Sequence, residues 1–180
     1  MKSIRSFLGV LLLLSACATG AARAADLSLP VMLVATDVLA GSAFEEAVLV
    51  AAPLPQGGHA GFIVNRPTDM KLETLFPEHA PSRKVVDPVY LGGPVLSEAI
   101  VAVARRAPDG AGDVFQIMPG LVAVLDAGSV DRVIETTPNA ARYFAGLMVW
   151  VPGELEAQIS MGAWNVRPAD ADTVLPAPQS

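Results

Sequence analysis

The sequence predicts an α+β fold in a single domain, made of many short strands and a few short helices. Fifteen prolines and fifteen glycines cut the 180-residue chain into short pieces, which argues for strands and turns and against a helical bundle. A hydrophobic fraction of 52% against 17% charged residues supplies enough apolar side chain for one core of ordinary size. The stretch 142–169, RYFAGLMVWVPGELEAQISMGAWNVRPA, reads as strand, short helix and strand in succession.

That stretch organises the rest. Residues 143–151 are apolar at nearly every position and stop at Pro152-Gly153, the pattern of a strand buried on both faces. Proline suits the first turn of a helix, where its missing N–H costs no bond. Glu154 and Glu156 follow where negative charge complements the helix dipole. Leu155 and Ile159, four apart, share a face that can fold back onto the strand. Ala163-Trp164 opens a second strand, closed by Arg167-Pro168.

The chain begins differently. Residues 1–25 carry the three parts of an export signal: Lys2 and Arg5, an apolar run over 7–16, then small residues. The run is shorter than the roughly 20 residues a membrane-spanning helix needs. Two processing sites compete. Leu14-Ser15-Ala16-Cys17 resembles a bacterial lipobox, which makes Cys17 an acylated first residue. Ala22-Arg23-Ala24 is an A-x-A site, which releases a soluble periplasmic protein. Cys17 is the only cysteine, and it falls where a lipobox puts it. Alanine after it points to the outer membrane of a Gram-negative envelope. Acyl chains contribute about 0.8 kcal/mol per buried methylene, so several hold a protein stably on a bilayer. With Cys17 acylated, the domain of residues 26–176 has no thiol and forms no disulfide; 177–180 are a tail.

Strands are expected at 31–35, 47–52 and 61–64, the last two as a hairpin within 44–65 turning at 53–59. Residues 38–43 read as a small-residue loop, 71–76 as a helical turn, and the polar, proline-bearing 78–87 as an exposed and mobile linker. Strands follow at 89–91, 99–104, 114–118 and 121–125. Ser129 is the expected N-cap of a helix to about residue 136, with Val130, Val133 and Ile134 on one face. A last turn is expected at 170–175.

With these pieces placed, the chain resembles the AlgH/YqgE family of small bacterial proteins. The resemblance rests on Gly61-Phe62-Ile63-Val64-Asn65-Arg66-Pro67, on Tyr90-Leu91-Gly92-Gly93-Pro94-Val95, and on the spaced set Gly146, Trp150, Gly153, Leu155, Glu156, Ala163, Trp164, Pro168, Ala169 and Asp170. It covers about residues 31–175. It implies strands bent into a barrel-like, mixed or antiparallel sheet with short helices outside. Most of the family has no established activity, and part of it bears a transcriptional-regulator label that an exported, acidic chain does not fit. Relatives usually carry a Tyr-Leu-Cys-Glu-His-like run where this chain has Val50-Ala51-Ala52-Pro53. They also have Asp-Pro in place of Gly41-Ser42, and Asn-Ala-Trp in place of Gly162-Ala163-Trp164. A thiol-based role therefore has no residue here to perform it.

A net charge of -6, with Arg83-Lys84 and Arg105-Arg106 the only adjacent basic pairs, argues against nucleic acid as a partner, which needs a basic stripe to displace phosphate counterions. Asn65 and Arg66 form the best candidate site. The Arg66 fork suits a carboxylate or phosphate; structurally, Asn65 would accept a strained turn and Arg66 would tie its loop to an acid such as Glu154 or Glu156. Gly92 and Gly93 admit close backbone approach of a ligand or an anion nest, or simply supply a turn; the lysine of a phosphate loop is missing. Glu154 and Glu156, two apart, do not face each other as an acid–base pair. No cofactor or metal is expected, because His59 and His79 stand alone in loops without ligand spacing. A serine-nucleophile elbow does not occur, and Trp150 and Trp164 belong to core runs. The expectation is a non-enzymatic envelope lipoprotein that binds a protein or small anionic ligand near Arg66 and Gly92-Gly93. The alternatives are a hydrolase or isomerase holding an anionic substrate on Arg66, with Glu154, Glu156 or His59 as base, and the family's regulator label.

Overall fold

The computed structural model describes residues 26–176. The expectations for the leader 1–25, its lipobox and Cys17, and for the tail 177–180, lie outside the described residues. Nine strands and four short α-helices are found among those described: β1 (Val31–Ala35), β2 (Val48–Pro53), β3 (His59–Ile63), α1 (Leu72–Leu75), β4 (Tyr90–Leu91), β5 (Val95–Ala104), β6 (Val114–Met118), β7 (Leu121–Val124), α2 (Ala127–Thr136), β8 (Ala141–Trp150), α3 (Glu154–Ser160), β9 (Trp164–Pro168) and α4 (Ala171–Val174). The strands form one sheet in the order β6-β7-β5-β8-β3-β2-β1-β9, with β4 beside β8. Every pairing is antiparallel except β4 with β8.

Alternation along each strand sends side chains to two faces. Met32, Val50, Phe62, Val103, Ile117 and Phe144 share the concave face, and strands from β1 to β8 contribute to that cluster, so the sheet curls around it into a half-barrel. The convex face is covered in two places. Leu33, Leu49, Trp150 and Trp164 pack with Leu155 of α3, and Ala102, Val124 and Tyr143 pack with Val130, Val133 and Ile134 of α2. Burying a side chain of this size contributes about 1.5–3 kcal/mol, which is why strands with two apolar faces read as continuous runs.

The anticipated strand–helix–strand block is present as β8, α3 and β9. Glu154 N–H donates to Val151 O at 3.0 Å, and Gly153 sits at φ 85°, so Val151 to Glu154 form a turn with proline and glycine at its two centres. Pro152 precedes the helix instead of lying in its first turn as expected. Gln158, one turn into α3, accepts indole N–H bonds from Trp150 at 3.1 Å and Trp164 at 2.9 Å. The helix is thereby tied to both strands it joins.

Three other expectations need correction. Asp126, not Ser129, caps α2: its carboxylate accepts the Ser129 N–H at 2.9 Å. Ser129 is fully buried in the first turn, where its hydroxyl accepts from Arg132 at 2.7 Å. Aspartate caps as well as serine, and β7 ends early enough to place it there. Residues 78–87 are exposed at most positions, as expected, but they are docked and do not form a free linker. They hold a 3-10 turn, Ala80–Lys84, with Ser82 and Val85 buried. Asn139 clamps the segment from afar, donating to Lys84 O at 2.9 Å and accepting from Val86 N–H at 3.0 Å. His59 lies in no loop; it begins β3 at 4% exposure. Its Nε2 bonds Leu27 O at 2.9 Å, and since a carbonyl only accepts, Nε2 carries the proton.

Candidate functional site

The structure brings four of the six proposed ligand residues together. β3 runs out into Asn65 and Arg66, and Leu91 N–H donates to Arg66 O at 2.9 Å, placing this loop against the β4–β5 crossing at Gly92-Gly93. Their polar groups, however, are taken up within the fold. Arg66 donates through Nη1 to Ala43 O at 2.6 Å and through Nη2 to Glu45 O at 2.7 Å. Asn65 accepts from Val48 N–H and donates to Glu46 O, both at 2.9 Å. The two side chains hold the loop before β2, in which Glu46 adopts φ 57°, a conformation a non-glycine residue keeps only when its surroundings over-determine it. The anticipated strain is thus real but sits at Glu46, and Arg66 binds carbonyls instead of an acid.

Gly92 and Gly93 are buried where the chain crosses β8. Gly92 N–H donates to Ala145 O and Ile63 N–H to Gly92 O, each at 2.9 Å, so the crossing is laced to both β3 and β8. A Cβ on Gly92 would lie 2.2 Å from Gly146 O, and one on Gly93 2.4 Å from the Leu147 carbonyl. The approach these glycines permit is that of another strand.

Glu154 and Glu156 lie apart from this loop. β3 and β8 pair antiparallel with His59 opposite Trp150 and Gly61 opposite Met148, so α3 follows β8 at the His59 end, whereas Arg66 follows β3 at the other end. Glu154 instead caps its own turn, accepting from Val151 N–H at 3.0 Å, and Glu156 is exposed.

A different place is hollow. Where the half-barrel stops short of closing, the turn after β6 faces the start of β1 and the end of β9 across a cavity of about 680 Å³, within the 300–1,000 Å³ range of small-molecule sites. Leu29, Pro30, Met118, Pro119, Val166 and Ala169 give it mainly apolar walls, and Asp26, Arg167 and Asp170 are its charged members. Asp170 is occupied as the N-cap of α4, accepting from Thr173 Oγ1 at 2.7 Å and from the Asp172 and Thr173 N–H groups at 3.2 Å. The Thr173 hydroxyl, then the Asp172 N–H, hold its carboxyl below the usual range. Asp26 accepts from the Ser28 N–H and hydroxyl at 3.0 and 2.6 Å. Arg167 is exposed on the edge strand opposite Met32, and its guanidinium has no hydrogen bond or ion pair among the described residues.

Next to the cavity the chain's last described turn is pinned down. Arg105 bonds the Asp172 carboxylate and the Leu175 carbonyl, and Arg142 donates to Val174 O at 2.7 Å while its guanidinium stacks 4.4 Å from the Tyr90 ring centre. Val174 and Leu175 are held in the concave core in this way. Sequence reasoning missed this cavity because it lies between residues 26–31, 118–119 and 166–171, which no local motif connects. Among the described residues, no group of three or more histidines, cysteines or acids could hold a metal, and no helix is long and apolar enough to cross a membrane.

Residues 32–180 match the family model described as AlgH-like. The chain belongs to the AlgH-like family. It is 30% identical over 156 residues to a UPF0301 protein of Streptomyces coelicolor, covering 81% of this chain and 79% of that one. A UPF0301 protein of Chlorobium phaeobacteroides is 30% identical over 148 residues, covering 79% and 76%. Among solved structures, the AlgH protein of Pseudomonas aeruginosa superimposes with a TM-score of 0.68 at 23% identity, over 82% of this chain and 80% of its own. Protein DIP2367 of Corynebacterium diphtheriae gives 0.64 at 23%, over 85% and 81%. At that identity the likeness establishes the curled-sheet fold that AlgH-like proteins share and leaves activity to be argued from the site.

Proposed function

We propose that this AlgH-like protein is a non-catalytic binding module of the cell envelope, tethered through an acylated Cys17, whose ligand sits in the cavity between the two edges of its sheet. The observation that carries the reading is that cavity. It is large enough for a small molecule, mainly apolar, and bordered by Asp26, the first described residue and the one nearest Cys17 in the chain. A tether of nine residues reaches at most about 30 Å, so acylation keeps the cavity near the bilayer. Asn65, Arg66, Gly92 and Gly93 serve this reading as the frame that shapes the half-barrel, and Glu154 as a turn cap. The enzymatic alternative draws no support from Arg66, whose forks hold Ala43 and Glu45.

Labelling growing cells with radioactive palmitate tests the tether. Label on the wild-type protein in the membrane fraction, lost in Cys17→Ser, is the expected result. Mass spectrometry finding an intact Met1 in a soluble cytoplasmic fraction would overturn the reading and return the regulator alternative to consideration.

A further inference from the structure

The wall chemistry of the cavity at the sheet edges is uneven in a way that selects a ligand class. We infer that it binds a single-chain amphiphile with an anionic head, the acyl chain lying along the apolar wall and the head on Arg167. This deepens the binding-module reading and rests on it for the choice of cavity.

Each side of the cavity contributes something different. Met118 and Pro119 from the β6–β7 turn, and Leu29 and Pro30 ahead of β1, form apolar walls contributed by distant parts of the chain. Val166 and Ala169 add a third. A lining of this kind favours hydrocarbon by removing it from water, at about 25 cal/mol per Å² of apolar surface.

Polarity is concentrated in three side chains, and their hydrogen-bonding states differ. The Asp170 oxygens are engaged by the cap of α4, and Asp26 accepts two bonds from Ser28. Arg167 alone keeps its fork of donors without a partner among the described residues. A guanidinium with unspent donors prefers a planar anion such as a carboxylate, which it can meet with two parallel bonds. The neighbouring carboxylates make the site select against diffuse negative charge. A compact head placed on Arg167 is favoured over a polyanion that would also face Asp26 and Asp170.

A competing role for Arg167 is edge protection, since a charge facing inward from an edge strand discourages pairing with another chain. Pro168 already serves that purpose on β9, because proline has no N–H to offer. On the opposite edge, Gln116 of β6 ties its side-chain amide to the Met118 and Leu121 carbonyls. Edge protection predicts that substitution promotes self-association and leaves ligand selectivity alone. The two roles therefore separate in one experiment.

The test is fluorescence titration of purified full-length protein with 11-(dansylamino)undecanoate, with competition by dodecanoate, dodecanol and dodecylammonium, followed by light scattering for association state. Saturable binding displaced by dodecanoate is expected. Arg167→Gln should weaken dodecanoate about tenfold, leave dodecanol unchanged and abolish the preference of carboxylate over ammonium. Ala169→Phe, which fills the cavity, should weaken all three while keeping the wild-type unfolding midpoint. If it lowers the midpoint, Pro119→Trp fills the same space from the exposed opposite wall. Equal competition by dodecanol and dodecanoate, unaltered in Arg167→Gln, would overturn the anionic head. Binding untouched by both filling variants, or no saturable binding at all, would overturn the site. Retention only on vesicles containing phosphatidylglycerol, without monomer binding, would also overturn it, in favour of a surface contact with lipid. None of these outcomes bears on acylation of Cys17, which the palmitate label decides separately.

Discussion

Arg66 and Arg167 each stand beside proline on an exposed rim of the same sheet, and in sequence Arg66 looks the better ligand residue because it lies in a longer shared motif. In the folded chain the two differ in what their donors already meet. Arg66 has both ends of its fork on the carbonyls of Ala43 and Glu45, and the glycines beside it are filled by the backbone of β8. Arg167 faces a cavity of about 680 Å³ with its donors unspent. A motif marks where the chain must adopt one particular path; whether its polar groups remain available to a ligand depends on which partners the fold has already supplied. A fork-shaped cation satisfied internally holds the fold together; the same cation left unsatisfied beside an apolar hollow keeps its donors available.

The largest expected effect tests the structural side of this contrast. Gly93→Val places branched carbons against the Leu147 carbonyl, already 2.4 Å from a bare Cβ. Strand backbone cannot give way as a flexible side chain does, so the variant should lose more than about 4 kcal/mol of stability and fail to give a cooperative urea transition. Arg167→Gln, on the open side, should stay within about 0.5 kcal/mol of wild type, as substitutions at unengaged surface positions do. If Gly93→Val unfolded at the wild-type urea midpoint, the crossing could not be the tight frame described, and a ligand at Gly92-Gly93 would again be worth testing.

Arg66→Ala comes next. It removes two charge-assisted hydrogen bonds and leaves Glu46 in its left-handed conformation, held by Asn65 and by the local backbone bond from Ala47 N–H to Phe44 O. Because the site is partly exposed, water recovers some of the loss, and about 1–2 kcal/mol is expected. Arg66→Lys should restore less than half, because one ammonium cannot span two carbonyls as the planar fork does. Full rescue by lysine in urea denaturation would mean that charge alone, without fork geometry, holds the loop.

How much of this was legible in sequence depended on the distance between partners. The strand–turn–helix–strand block of β8, α3 and β9 could be read because Pro152-Gly153, Glu154 and the 155/159 face are local signals, each acting within one or two turns. The many short strands and turns followed from proline and glycine content, and the barrel-like α+β arrangement came with the family resemblance. Other features were hidden. Ser82 and Val85 are buried because Asn139 reaches back more than fifty residues to the 84–86 backbone, so a polar stretch that reads as linker is in fact docked. His59 reads as a turn residue, but its bond to Leu27 belongs to the start of the domain. Gln158, an ordinary helical glutamine in sequence, sits between two indoles because β8 and β9 bring Trp150 and Trp164 to the same helix. The cavity was the least legible of all, since three separate segments build it and Arg167 gains meaning only from the wall it faces.

The smallest predicted effect divides two similar caps by their position. Asp126 and Asp170 each cap a helix, and both titrate below the ordinary 3.8, held down chiefly by side-chain hydrogen bonds from Ser129 and Thr173 respectively. A carboxyl depressed by folding contributes stability above its unfolded value and loses it as pH falls through the lower folded value. The urea midpoint should therefore decline as pH drops from about 4, and Asp126→Asn and Asp170→Asn should each flatten part of that decline while keeping a capping oxygen. At neutral pH the two variants should then diverge in ligand binding. Asp170→Asn removes a negative charge from the segment that carries the proposed head site and should tighten dodecanoate by up to about threefold, an effect that added salt erodes. Asp126→Asn, at the start of α2 and outside the cavity, should leave dodecanoate unchanged. Equal responses from both caps would show that net charge, and not the local wall, governs binding, and the distinction drawn between the two arginines would lose its physical basis.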